Sequence, residues 1–216
     1  MPRKAYRSER IVVSFDTERC IHARYCVRGL PEVFDPGERP WVRPERANAD
    51  RVAEVVMRCP TGALQFERRD GGAKESIPQE NVIAVSVNGP LYVRGDIQIT
   101  GPLGETLLED TRVALCRCGE SRNKPLCDNR HKQTNFRDEG ILGDDRLTRG
   151  PTSDRRELRI IPTVNGPLLL RGEVEIRSAD GKTVYRGSKG ALCRCGHSNN
   201  KPFCDSSHAE MDWRDD

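Results

Sequence analysis

The chain repeats itself in one register. VNGPLYVRG at Val87 reappears as VNGPLLLRG at Val164, and ALCRCG at Ala114 as ALCRCG at Ala191. KPLCD at Lys124 returns as KPFCD at Lys201, His131 as His208, and NFRD at Asn135 as DWRD at Asp212. Every match has the same offset of 77 residues, so an ungapped duplication runs over 87–138 and 164–215. Chance does not hold one register that long. A repeat of this kind dictates architecture before any local signal does.

Within each copy the pattern is β-like. Residues 82–87 and 91–95 flank Asn88-Gly89, a strong tight-turn signal between strands. Residues 96–100 and 173–177 alternate polar and apolar, and each copy then enters a cysteine loop. A short helix is predicted near Asp128 and Asp205, each placed to cap free N–H groups. The first seventy residues lie outside the repeat. There Ile11–Phe15 reads as a strand, Cys20–Cys26 as a loop, and Val52, Val55, Val56 and Cys59 follow helical spacing with Asp50 as N-cap. Cys59-Pro60-Thr61-Gly62 stops that helix, and Ala63–Glu67 reads as a returning strand. Linkers are expected at 68–80 and 140–156. The division is 1–70, 81–139 and 157–216.

Composition supports small modules over one large core: 35% of the 216 residues are hydrophobic and 32% are charged. The net charge of +3 is spread without blocks, and aromatics are only 5%. Neither a nucleic-acid nor a membrane partner is expected. The start MPRKAYRSER is basic, but no apolar stretch of signal-peptide or membrane-spanning length follows it. A soluble cytoplasmic protein is the expectation. Nine cysteines that include two Cys-x-Cys pairs make a poor disulfide framework, and in a reducing compartment they point to metal.

The repeated motif reads CRCGESRNKPLCDNRH and CRCGHSNNKPFCDSSH, or Cys-x-Cys-x8-Cys-x3-His. Cys116 and Cys118 are close enough to bind one iron from a tight loop. Cys127 and His131, four apart, share a face on a helical turn and can bind a second. Cys193, Cys195, Cys204 and His208 repeat the set. Cys3His is also a familiar tetrahedral zinc set, so the ligand chemistry leaves zinc open. The tightness of Cys-x-Cys, against the usual Cys-x2-Cys of zinc knuckles, tilts the reading toward a 2Fe–2S cluster. His197 replaces Glu120 of the first copy and reads as a solvated residue. Phe136 and Trp213 read as small-core packing.

These motifs resemble the CDGSH iron–sulfur domain family, the mitoNEET-like proteins. Ser121 and Ser198, Pro125 and Pro202, and Asp128 and Asp205 match its pattern. The Gly-Ser pair is replaced by Asn129-Arg130 and Ser206-Ser207. The resemblance implies a 2Fe–2S cluster in each copy, with the two copies packed as an internal pseudo-dimer in a monomeric chain. One imidazole in place of a thiolate leaves the site less negative, so its potential should lie above that of all-cysteine ferredoxins. An imidazole ligand also couples cluster retention to pH, and acid is expected to loosen the clusters.

Cys20-x5-Cys26, then a helix, then Cys59-Pro60 resembles half of a bacterial ferredoxin site, in a divergent single-cluster form covering about residues 11–67. Ala23 stands where the middle cysteine is expected. Three cysteines suit a 3Fe–4S cluster, or a 4Fe–4S cluster whose fourth iron has another ligand. His22 is the nearest candidate, although a lone His beside a cluster is more often a supporting or surface group. The fold expected is α+β: a small ferredoxin-like module followed by two β-rich repeats. No nucleotide-binding glycine loop, paired carboxylates or nucleophile with its base is visible, so no enzyme is expected. Electron transfer with a redox partner protein leads. Cluster storage, transfer or sensing, and a structural zinc adaptor, are the alternatives.

Overall fold

The computed structural model describes residues 3–150 and 156–215. The chain divides into two units, Met1–Ser76 and Ile77–Asp216, and the division falls inside the first expected linker.

In the first unit β1 (Lys4–Arg7), β2 (Ile11–Phe15) and β3 (Leu64–Arg68) form an antiparallel sheet in that order. The basic segment Lys4–Arg7, which carries one large apolar residue, is a strand. Its Tyr6 lies opposite Val13 and is buried. Between β2 and β3 lie α1 (Tyr25–Gly29) and α2 (Ala49–Met57). Ala49, Val52, Ala53, Val55 and Val56 give α2 one apolar face, and it packs on Ile11, Val13 and Phe34. The N-cap is Asn48, not Asp50. The extended backbone of Asn48 lets its side chain accept from the Asp50 N–H at 2.8 Å. Asp50 instead pairs with Arg68 of β3 at 2.5 Å. Cys59 lies past the helix end, in the Cys-Pro turn.

The second unit holds β4 (Val82–Val85), β5 (Leu91–Thr100) and β6 (Thr106–Leu115), then β7 (Leu158–Pro162), β8 (Leu168–Arg177) and β9 (Val184–Leu192). All belong to one six-stranded sheet. Segments 91–95 and 96–100 are a single strand with an irregularity after Arg94, where β5 changes neighbours. Leu91–Arg94 pair with β4, and Ile97–Ile99 pair in parallel with β7 of the other copy. In the same way β8 pairs with β7 along its first half and in parallel with β4 along its second. Each repeat thus lends its first strand to the sheet of the other. Asn81 ties the crossing: its Nδ2 donates to the Arg156 and Glu173 carbonyls at 2.7 and 2.9 Å, while its Oδ1 accepts from the Asp96 N–H at 2.8 Å.

The two copies share one core, in which Ile83, Val93 and Leu115 pack with Leu158, Ile160, Leu170 and Leu192. The second expected linker is partly a strap on the second copy. Leu142 is buried in that core, the Gly143 N–H donates to the Lys201 carbonyl at 2.8 Å, and the Thr148 N–H to that of Lys189 at 2.9 Å. The rest of that linker, 151–155, lies outside the described residues.

Candidate metal centres

All nine cysteines are free thiols. In the first repeat β6 delivers Cys116 at its end. The Cys116 N–H donates to the Pro125 carbonyl at 2.9 Å and the Cys127 N–H to that of Ala114 at 2.8 Å. This short antiparallel pairing brings the two halves of the motif together across the loop. Cys116 Sγ lies 3.7 Å from Cys118 Sγ, and Cys127 Sγ lies 3.5 Å from His131 Nδ1. In the second repeat the Cys193–Cys195 and Cys204–His208 separations are 3.6 and 3.5 Å. The donors therefore come in pairs, Cys with Cys and Cys with His. Among the described residues no three His, Cys, Asp or Glu side chains gather around one ion-sized point.

Main-chain N–H groups turn toward the sulfurs. Those of Gly119 and Ser121 point at Cys116, Asn129 donates to Cys127 Sγ at 3.3 Å, and Ser206 to Cys204 Sγ at 3.4 Å. His197, exposed as expected, contributes its N–H to Cys195 Sγ at 3.5 Å. Burial pushes the Cys127 thiol up to about 12 and raises Cys204 as well. Within each Cys-x-Cys pair, the S–H of one sulfur stabilises the thiolate of the other, which pulls one thiol down and pushes its neighbour up. Burial lowers His131 and keeps its imidazole neutral. A neutral imidazole beside buried thiols, whose thiolates a cation would stabilise, is the chemistry of a metal or cluster site.

Asp128 and Asp205 are not the caps: the N-cap positions are Asn129 and Ser206, in left-handed backbone and without a side-chain cap bond, and each Asp sits one residue earlier and ties the loop instead. One oxygen of Asp128 accepts from the Arg130 N–H at 3.1 Å and the other from the Arg122 N–H at 2.9 Å. Asp205 does the same with Ser207 and Asn199 at 3.1 and 2.7 Å. The turn that follows is a 3-10 turn at Arg130–Lys132 in one copy and α3 (Ser207–Glu210) in the other. Ser121 and Ser198 brace the loop from inside, donating to the Leu126 and Phe203 carbonyls at 2.6 and 2.7 Å.

Sequence reasoning missed the residue inside each Cys-x-Cys. Arg117 and Arg194 are only 1% and 2% exposed, although arginine is almost never buried so fully. Arg117 Nε donates to the Gly89 carbonyl at 3.0 Å, its Nη2 to that of Ser86 at 2.6 Å, and its Nη1 to Asp138 at 2.5 Å. Arg194 repeats this with Gly166, Thr163 and Asp215 at 2.9, 2.5 and 2.7 Å. Phe136 and Trp213 are half-exposed rather than core, and lie against these guanidinium groups at 5.2 and 5.1 Å. The one signal in the sequence was the identity CRC in both copies.

In the first unit Cys20, Cys26, Cys59 and Ala23 line a single hollow with Ile21 and Thr61. The three thiols are half-buried, and burial raises Cys20 and takes Cys26 to about 11. The side chain of His22 is exposed and does not line that hollow; its main-chain N–H faces Cys20.

Residues 6–69 match the family model of a divergent 4Fe-4S mono-cluster. Residues 88–132 and 165–209 each match that of an iron-binding zinc finger of CDGSH type. Two relatives, both described as uncharacterized protein YjdI and coming from Escherichia coli strains K12 and O157:H7, are each 35% identical over 66 residues. That stretch is 31% of this chain and 87% of either relative. No solved structure matches. The chain therefore belongs to the divergent 4Fe–4S mono-cluster family through residues 6–69, and to the CDGSH iron-binding family through the duplicated motifs at 88–132 and 165–209.

Proposed function

We propose that this chain is an electron-transfer protein with one 2Fe–2S cluster in each repeat and one 3Fe–4S or 4Fe–4S cluster at Cys20, Cys26 and Cys59. The observation that carries this is the pairing of donors in the repeats. A zinc ion gathers four ligands around one point, whereas two irons take two protein ligands each, as Cys–Cys and Cys–His pairs supply. N–H groups aimed at the sulfurs add support, since such hydrogen bonds tune cluster potentials. In the first unit the family favours 4Fe–4S, while Ala23 brings no donor to the hollow. The crosswise parallel pairing of β4 with β8 and β5 with β7 supports an internal pseudo-dimer, and hence a monomeric chain.

The proposed carrier is soluble and cytoplasmic, serves a redox partner protein and catalyses no reaction itself; no helix among the described residues is long and apolar enough to cross a membrane. A second reading, cluster storage or transfer, draws on the half-buried Cys204 and His208, through which a cluster would be released. Anaerobic purification with iron, sulfide and zinc analysis, and EPR before and after dithionite, tests the first reading. About seven or eight irons per chain and a 2Fe–2S signal on reduction are expected. A colourless protein with two or three zincs would replace the reading by that of a structural adaptor. Rapid loss of colour to an apo-protein acceptor, with no electron exchange, would favour storage.

A further inference from the structure

We infer that an open groove on the first unit is the docking face for an acidic redox partner protein. The inference rests on the proposed cluster at Cys20, Cys26 and Cys59. The groove is lined by the half-buried Phe15 and Trp41 and by the exposed Pro40, Lys4, Arg24 and Arg39. It shares a wall with the hollow that holds the three thiols: Phe15, Cys20, Arg24, Cys26 and Trp41 line both. A partner seated here is separated from the hollow by single side chains. The shared wall is firm, since Trp41 meets Phe15 edge-on at 4.8 Å and Tyr6 at 6.2 Å. Its loop is also turned in an uncommon way. His22 and Arg24 have φ of 53° and 64°, a left-handed backbone rarely adopted by such residues. Ala23 between them lines the hollow, while both neighbours line the groove.

Charge selects the occupant. Among the described residues, Lys4, Arg24 and Arg39 face the groove together with His22, and no carboxylate lines it. Apolar side chains among charges of one sign are how a protein interface is built, and those charges steer a partner of opposite sign. A second copy of this chain, at +3, is disfavoured. The partner is an acidic protein carrying its own one-electron group, which gives an electron to, or takes one from, the cluster across this wall.

Reduced flavodoxin, an acidic one-electron donor, is the probe, with stopped-flow reduction of the full loaded chain as the readout. Iron and sulfide content and reduction by dithionite are measured first and report on the cluster reading by itself. Lys4 pairs with Phe15 at one end of the β1–β2 hairpin, and Arg7 and Arg10 lie at the other. The double variant K4E/R39E should slow low-salt reduction about tenfold and flatten its salt dependence, whereas R7E/R10E, with the same change in charge, should slow it less than about twofold. Equal loss in both variants, no loss in K4E/R39E, or a loaded chain that dithionite reduces and flavodoxin does not, overturns the inference and leaves the cluster in place. An equal loss with free reduced FMN overturns it too, by assigning the groove to a small anion.

Discussion

Gly119 and Gly196 lie back to back, each against the cysteine loop of the other repeat. A Cβ on Gly119 would stand 2.3 Å from the Cys195 carbonyl oxygen, and one on Gly196 would stand 2.6 Å from that of Cys118. Both residues also have a left-handed backbone, with φ of 85° and 86°. The metal-binding loops of the two repeats are thus one packed object, and a change in either reaches the other.

Substituting Gly119→Ala should weaken iron retention in both repeats and destabilise the second unit by roughly 1–3 kcal/mol, the usual cost of overpacking. Gly181→Ala is the control: it shares the left-handed backbone, with φ 72°, but an added Cβ meets nothing within 4 Å. Iron content after challenge with a chelator, set beside thermal unfolding, separates the two effects. If both variants retain iron equally, close approach of the loops is not what matters.

Arg117 joins three separate pieces of chain: the turn at Ser86–Gly89, its own cysteine loop and Asp138. Replacing it by Met removes a buried cation and leaves Asp138, whose side chain is 13% exposed, without its partner. The cost should be about 3–5 kcal/mol in denaturant unfolding. Removing positive charge beside the site also makes adding an electron harder, so the potential of the first-repeat cluster should fall. Arg117→Lys should restore the charge and most of the potential, but not the stability, because an ammonium cannot reproduce the forked contacts. A redox titration followed by EPR reads the first effect and urea unfolding the second.

The duplication, the repeated cysteine and histidine spacing and the turn at Asn88 were legible because each is a local or in-register signal. Asn88 and Asn165 do adopt the left-handed backbone, with φ of 50° and 49°, although they sit in the longer loops 86–90 and 163–167 rather than in two-residue turns. What escaped depends on neighbours distant in sequence. The strand β9 reads VYRGSKGAL, poor strand material, yet a Cβ at Gly187 or Gly190 would stand 2.7 Å from Leu147 of the strap. Its glycines answer to a segment some forty residues earlier. In the same way, nothing in the alternation of Val82–Val85 says that the strand pairs with β8 of the other copy. Nothing local to Arg117 signals its burial, because its acceptors lie in segments 21 and 31 residues away.

The hollow of the first unit makes a simple prediction. Ala23 lines it and His22 does not. Ala23→Cys should supply the missing thiolate, raising iron to about eight per chain and removing any EPR signal of the oxidised protein. His22→Ala should leave iron content unchanged. Loss of about one iron in His22→Ala would make that imidazole a ligand after all.

Acid should separate the two repeats. His131 is 6% exposed, and burial, with Lys132 beside it, holds its imidazole below the ordinary value near 6.5. A group depressed in the folded state adds stability in full above its unfolded value. That stability is lost as pH falls through the ordinary imidazole range toward the depressed one. The first repeat therefore resists protonation of its histidine well into mild acid. His208 and Cys204 in the second repeat are half-buried, so that pair is less shielded from solvent than His131 and Cys127. On lowering the pH, visible absorbance should fall in two steps, with the second repeat bleaching first. C116S/C118S, which keeps only the second site, should bleach at higher pH than C193S/C195S, which keeps only the first. The reverse order, or one shared midpoint, would show that burial of the imidazole does not set acid lability here.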